Sequence, residues 1–296
     1  MRFALLVAAF VLTVVLPRSA GAQAWVPPKG EGAVSFTLQD LYVKDHIATT
    51  THVDAGHINT IVALADVTYG LTDKVAVDLA VPFVAARYHG NKPHPDTDID
   101  DGTYHHSFTD IRVSLRYNFW RGGAVITPYV GTIVPTHDYA FYGHAAFGEG
   151  LRELQVGTYI AKAFTAGVPG LFLSGRVGYG FVEKVLDISH NRSQADLEAG
   201  YFITPRLNTF FTLGGQITHG GIDFPLGGLP ALPAEFKFVH DIIQRVNYVH
   251  AGGGLAYALG DSIDVFGSFT RLVAGRNGHA LNRGISVGLS VGFSRH

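Results

Sequence analysis

The sequence predicts an all-β chain: a transmembrane antiparallel up-and-down β-barrel of about 12 strands behind an N-terminal signal peptide. Three observations predict it. Apolar side chains recur at every second position along segments of about 10 to 14 residues, which is the period of a strand. The connections between segments alternate between short and long. Aromatic residues gather on the apolar face near the segment ends.

Composition narrows the alternatives. The chain of 296 residues is 47% hydrophobic and only 16% charged, and it carries 36 glycines, 20 phenylalanines and 13 tyrosines but one methionine. Aromatic-rich, glycine-rich and methionine-poor chains suit β structure better than helical bundles. Beyond residue 17 no apolar run approaches the 18 or so residues of a membrane helix. The absence of cysteine excludes disulfides and thiol-based metal or redox sites. A net charge of −2 offers no basic surface to nucleic acid.

The elements follow in chain order. Arg2, the apolar run Phe3–Leu16, then Pro17, Arg18 and small residues make the charged, apolar and small-residue regions of a secretory leader. Residues 1–24 are assigned to it, with cleavage after Ala22 or after Ala24, and residues 25–296 to the barrel. Strand segments are expected at 32–44, 58–69, 74–87, 107–119, 124–136, 152–164, 171–184, 195–203, 207–217, 243–258, 263–273 and 283–293. The clearest, the fourth, sets Ile111, Val113, Leu115, Tyr117 and Phe119 against Asp110, Arg112, Ser114, Arg116 and Asn118. The twelfth sets Ile285, Val287, Leu289, Val291 and Phe293 against glycines and serines. The seventh and eleventh are noisier, with Phe172 and Phe266 on the polar side.

Tight turns such as Gly70-Leu71-Thr72-Asp73 and Thr204-Pro205-Arg206 alternate with long polar loops at 45–57, 88–106, 137–151, 185–194, 218–242 and 274–282. Short periplasmic turns and long external loops are the layout of an outer-membrane barrel. An even strand count puts both termini on the short-turn side. Tyr69, Phe119, Phe164, Tyr201, Tyr257 and Phe293 mark that end, and Phe83, Phe181 and Phe269 the other, as two aromatic girdles would. A secreted β-sandwich also alternates, but its short strands must hide their apolar faces in a thin shared core. The lengths, loop asymmetry and terminal aromatics favour the barrel and a location in the outer membrane of a Gram-negative bacterium.

Tyr69-Gly70-Leu71-Thr72-Asp73-Lys74 running into Val81-Pro82-Phe83, Phe108-Thr109-Asp110-Ile111-Arg112 running into Leu115-Arg116-Tyr117-Asn118-Phe119, and Thr132-Ile133-Val134-Pro135-Thr136 come in an order with a familiar look. This order resembles the outer-membrane barrel family named for the meta-pathway of phenol degradation, over roughly residues 60–293. The resemblance implies a transporter-like barrel, some of whose relatives accompany catabolism of aromatic compounds. Ser107 stands where a glycine-rich entry is expected, and His137 where a glycine is. The last strand, ending at Phe293, looks like the C-terminal signal read by the barrel-insertion machinery, with Ser294-Arg295-His296 beyond it.

If the apolar faces meet lipid, the opposite faces line the lumen. Lumen candidates are Asp78, Asp110, Arg112, Arg116, Glu153, Arg176, Asp196 and Glu198, joined by Asp66, Gln155, Asp264 and Arg271. They serve either as a bracing lattice, for instance Asp78 with Arg112, or as a constriction that sorts solutes by charge. Interior glycines such as Gly178, Gly254 and Gly288 are expected to leave space, and Phe172, Phe202, Phe210 and Phe266 to add apolar surface. About 12 strands imply a narrow or partly occluded lumen.

Histidines crowd the long loops. Pro93-His94-Pro95-Asp96-Thr97-Asp98-Ile99-Asp100-Asp101-Gly102, followed by His105 and His106, fails the calcium-loop pattern at Asp101 and Ser107. It is expected to be a solvated acidic loop, and neither a metal site nor a cofactor is assigned. Loop 218–242, rich in glycine and proline yet carrying Phe224, Leu226, Leu229 and Leu232, is expected to form a lid or plug. No catalytic residues are assigned: His190-Asn191-Arg192-Ser193 has the wrong spacing for a phospholipase-type site, and no nucleophile elbow, phosphate loop or zinc-protease motif is present. The sequence therefore points to a channel for a small, hydrophobic or aromatic molecule. A non-conducting barrel, structural or ligand-binding through its loops, is the alternative.

Overall fold

The computed structural model describes residues 24–294; the expected leader, apart from Ala24, lies outside the described residues. The chain forms a closed barrel of 12 antiparallel strands. They are β1 (Glu31–Ala48), β2 (His57–Gly70), β3 (Val75–His89), β4 (His105–Phe108, Asp110–Tyr117 and Trp120–Arg121), β5 (Val125–Pro135) and β6 (Glu153–Ala163). Then come β7 (Leu171–Val182), β8 (His190–Phe202), β9 (Leu207–Gly220), β10 (Asn247–Ala258), β11 (Ile263–Arg276) and β12 (His279–Ser294). Each strand pairs with its chain neighbour, and β12 closes on β1 from Glu31↔Ser294 to His46↔His279. Closure matters because an open sheet edge would leave backbone N–H and C=O groups unsatisfied in hydrocarbon.

The wall follows the alternation. Leu115 and Tyr117 are 45% and 46% exposed on the outside, while Arg116 between them is 2% exposed on the inside. Tyr201, Tyr257 and Phe293 face outward near the short turns, with Tyr69 and Phe293 stacked at 6.3 Å between ring centroids. Phe181 and Phe269 are exposed toward the other end, where Phe83 and Phe108 lie 5.1 Å apart edge to face. Among the described residues no helix is long and apolar enough to cross a membrane.

The first break in β4, at Thr109, has a local cause. Pro82 of β3 accepts at its carbonyl from Thr109 N but has no N–H to return. The Thr109 carbonyl turns instead to the backbone N–H of Thr136.

The strands outrun the apolar signal on the outer side. Strand β8 begins at His190, not near 195, and β1 continues to Ala48. His190-Asn191-Arg192-Ser193-Gln194 is polar on both faces, because a wall that has risen above the lipid needs no apolar side. The expected loop at 274–282 is instead a two-residue hairpin. Asn277 and Gly278 both take positive φ, 55° and 75°, which gives the backbone twist that Asn-Gly turns supply. Of residues 243–246, expected in a strand, Ile243 ends a short helix, His240–Ile243, and 244–246 lead from it into β10. The remaining external loops are L1 (49–56), L2 (90–104), L3 (136–152), L4 (183–189) and L5 (221–246).

Candidate functional site

Two features occupy the lumen: a cavity of about 710 Å³ in the periplasmic half and a roof of packed loops above it. The chain enters from inside the barrel. Ala24 is buried against Val125 and Ala161, its carbonyl accepts from Thr127 Oγ1 at 2.6 Å, and Trp25–Pro28 form the cavity floor. Sequence periodicity carries no sign of this tuck, since the segment precedes the first strand.

Asp78 of β3 sits at the centre of one charged knot. Arg116 donates to it twice at 2.7 Å, Thr68 Oγ1 at 2.7 Å and Ser114 Oγ at 2.9 Å. The expected partner was Arg112. The register places Ser114 opposite Asp78, so Arg112 and Arg116 flank it equally; the buried Arg116 takes the pair and Arg112 projects into the cavity with Asp66. Arg176 also lines the cavity and is held by Asp196, at 2.6 Å and 2.8 Å, with Gln194 beyond. Glu153 is buried higher up, 2.9 Å from Arg192 Nε and accepting from Gln155 Nε2, while Arg192 reaches Glu149 of L3 at 2.7 Å. Arg192 was hidden from sequence reasoning because it lay in an expected loop. Asp110 accepts from the Tyr139 hydroxyl, which in turn accepts from Gly150 N, so it anchors L3. Glu198 does not line the cavity and has no ion partner among the described residues.

The interior glycines do not leave open space. Phe172, Phe210 and Phe266 each stand directly opposite a glycine, Gly200, Gly254 and Gly288, and their rings occupy the volume a Cβ would need. Phe172 and Phe202, 5.6 Å apart, and Phe266 give the cavity an apolar flank.

The roof is built from opposite sides of the outer rim. Asp100 of L2 accepts backbone N–H groups of His94, His144 and Ala145 at 2.9–3.1 Å, which ties L2 to L3. Burial pushes the Asp100 carboxyl up, but His94 and those three N–H groups outweigh it and hold it below the usual range. Loop L2 exposes Asp96, Asp98 and Asp101, as expected of a solvated acidic loop, but buries His94, Ile99 and Asp100. Its apolar Ile99 packs against Val43, Ile58, Tyr88 and Ala145, shielding the carboxylate. From L5, Phe236, Val239, Ile242 and Ile243 pack with Phe141 and Leu151 of L3 and Val185 of L4. Asp223 accepts from Arg276 and Asn277, and Asn277 Oδ1 accepts from Thr49 N and Phe224 N, binding L5 to L1 and the last hairpin. Histidines meet inside this mass: His94 Nε2 and His240 Nε2 are 3.3 Å apart, and His144 Nδ1 is 3.0 Å from His46 Nε2. Burial and the neighbouring His94 push His144 down to about 4.

Sequence spacing also missed a Ser–His contact. Ser193 Oγ lies 2.7 Å from His219 Nε2 across β8 and β9, on the exposed outer face. Among the described residues no carboxylate or amide orients that imidazole, so the pair lacks the third member that activates a serine.

No protein-family model and no curated protein matches the sequence. Among solved structures the chain is similar to an outer membrane channel from Pseudomonas putida F1, with a TM-score of 0.71 at 14% identity over 94% of this chain and 100% of that one. It is similar to the translocator domain of the autotransporter NalP from Neisseria meningitidis, with a TM-score of 0.52 at 11% identity over 91% of each chain. It is also similar to the NanC porin, with a TM-score of 0.50 at 10% identity over 88% of this chain and 100% of that one. The shared property is the fold, a closed outer-membrane barrel. With the outward apolar wall between two aromatic girdles, it places this chain in a bacterial outer membrane.

Proposed function

We propose that the protein is a gated outer-membrane channel for a small molecule of hydrophobic or aromatic character. The observation that carries this reading is the cavity of about 710 Å³, flanked by Phe172, Phe202 and Phe266 on one side and by Asp78, Arg112, Arg116 and Arg176 on others. Its size falls within the roughly 300–1,000 Å³ typical of small-molecule sites. Rings give an apolar solute a surface to slide on, and paired charges of both signs leave weak ion selectivity. The resemblance at Tyr69–Thr136 points to the same solute class, and the P. putida neighbour is itself named an outer membrane channel. The insertion machinery is proposed to read β12 up to Phe293.

The roof favours a second reading, a barrel that does not conduct and binds ligands through its loops. Planar-bilayer recording on the native chain and on a chain lacking residues 222–236 separates the two. A channel with a lid gains conductance when the segment is removed. A barrel silent in both forms, and closed to solutes in liposome-swelling assays, supports the second reading and overturns the first.

A further inference from the structure

We infer that the roof holds a divalent transition-metal site formed by His94 of L2 with His240 and Asp241 of L5. Donor geometry carries the inference. His240 Nδ1 is 2.7 Å from the Lys237 carbonyl, which only an N–H can satisfy, so in the neutral ring Nε2 presents a lone pair. His94 Nδ1 faces the Asp100 carboxylate at 3.3 Å, which likewise turns a bare Nε2 inward. These two nitrogens lie 3.3 Å apart. Asp241 adds Oδ1 at 3.0 Å from His240 Nε2 and Oδ2 at 3.8 Å from His94 Nε2.

Three electron-rich groups thus converge where the imidazoles are 5% and 2% exposed and the Asp241 side chain is 26% exposed, so water screens the two rings poorly. The buried Oδ2 of Asp241 has no hydrogen-bond partner. A proton on His240 would serve Oδ1 alone and leave Oδ2 and His94 Nε2 unmatched. A divalent cation answers all three. With metal–nitrogen bonds of about 2.0–2.1 Å, neighbouring ligand atoms of a tetrahedron lie about 3.3–3.4 Å apart. The 3.3 Å nitrogen separation fits that edge, and the Asp241 carboxylate brings Oδ1 within 3.0 Å of one nitrogen and Oδ2 within 3.8 Å of the other. The outer contacts, carboxylate to His94 and carbonyl to His240, are those that orient imidazole ligands and raise their basicity. Two imidazoles and a carboxylate suit Zn²⁺, Co²⁺ or Ni²⁺ rather than Ca²⁺ or Mg²⁺.

The placement gives the ion a role. Loop L2 joins β3 to β4 and L5 joins β9 to β10, so six strands separate them in either direction around the barrel. A bound cation would tie opposite sides of the outer rim together over the cavity.

The test uses the full-length protein, purified in detergent, stripped with chelator and titrated with Zn²⁺ alone. One ion per chain is expected. His94→Gln and His240→Gln should each weaken binding by about 100-fold or more, while His105→Gln and His106→Gln leave it unchanged. Retained heat-modifiability on gels certifies that each variant still folds as a barrel. Bound Zn²⁺ should also slow proteolytic nicking of L5 in the native chain but not in the His94 variant. The absence of stoichiometric binding, or binding indifferent to His94 and His240 but abolished by changing His46 and His279 together, overturns the assignment. The readout is independent of conductance, so this site and the channel stand or fall separately.

Discussion

Phe172 lies over Gly200. The two residues oppose each other across β7 and β8, and a Cβ at Gly200 would come within 2.0 Å of the Phe172 Cζ. The ring is therefore held against the wall because nothing projects from the strand beneath it. Gly200→Val should drive Phe172 into the cavity and lower single-channel conductance. Phe172→Ala should raise it, at a cost of about 3 kcal/mol in stability. Equal conductance in all three proteins would show that the ring does not border the path.

The Asp78–Arg116 pair makes a separate prediction about the wall. Arg116 is buried, and its removal leaves the partly buried Asp78 carboxylate without its paired guanidinium. Breaking a fully buried pair at one end costs about 3–5 kcal/mol, and this one, open to the cavity on the Asp78 side, should cost less. Arg116→Ala should lower the temperature at which the folded gel band converts to the unfolded one. The double change Asp78→Asn with Arg116→Met should recover most of the loss. A single variant with native thermal behaviour would mean that water already screens the pair.

The wall was legible because lipid imposes a rule on every second residue. Leu115, Arg116 and Tyr117 can be assigned to their faces from the sequence without knowing a neighbour. What depends on register could not be read that way. The choice of Arg116 over Arg112, and the pairing of Phe172 with Gly200, are cross-strand facts, and a shift of one residue would exchange every face. The roof was less legible still. His94 and His240 are 146 residues apart, and no periodicity links two loops on opposite sides of the rim. Its one local signal was Asn277-Gly278, the strongest short-range hairpin signature, placed inside an expected loop.

Asp223 supplies a pH dependence. Hydrogen bonds from Arg276 and Asn277 hold its carboxyl below the usual carboxylate range. For a carboxyl depressed in the folded state, the stabilisation is complete above the unfolded value, about 3.9, and is lost as pH falls through the lower folded value. The tie between L5 and the last hairpin should hold from pH 5 upward and loosen only in stronger acid. Nicking of L5 by an acid-active protease should rise below about pH 4, and Asp223→Asn should already be nicked faster at neutral pH. A nicking rate that climbs between pH 7 and 5 would point to other groups.

Whether the roof moves can be tested because the chain has no cysteine of its own. Tyr142 of L3 and Phe238 of L5 pack at 5.2 Å between ring centroids with their planes tilted by 56°, beside His94 and His240 but away from the cavity lining. Replacing both with cysteine and joining them with a short thiol-cleavable crosslinker pins L5 to L3 without touching the wall. If the roof opens to pass solute, crosslinking should lower open probability, and reduction should restore it. Each single-cysteine variant should show neither effect. If conductance is unchanged by the crosslink, solute passes around a fixed roof, and the gate must be sought at the floor formed by Trp25–Pro28.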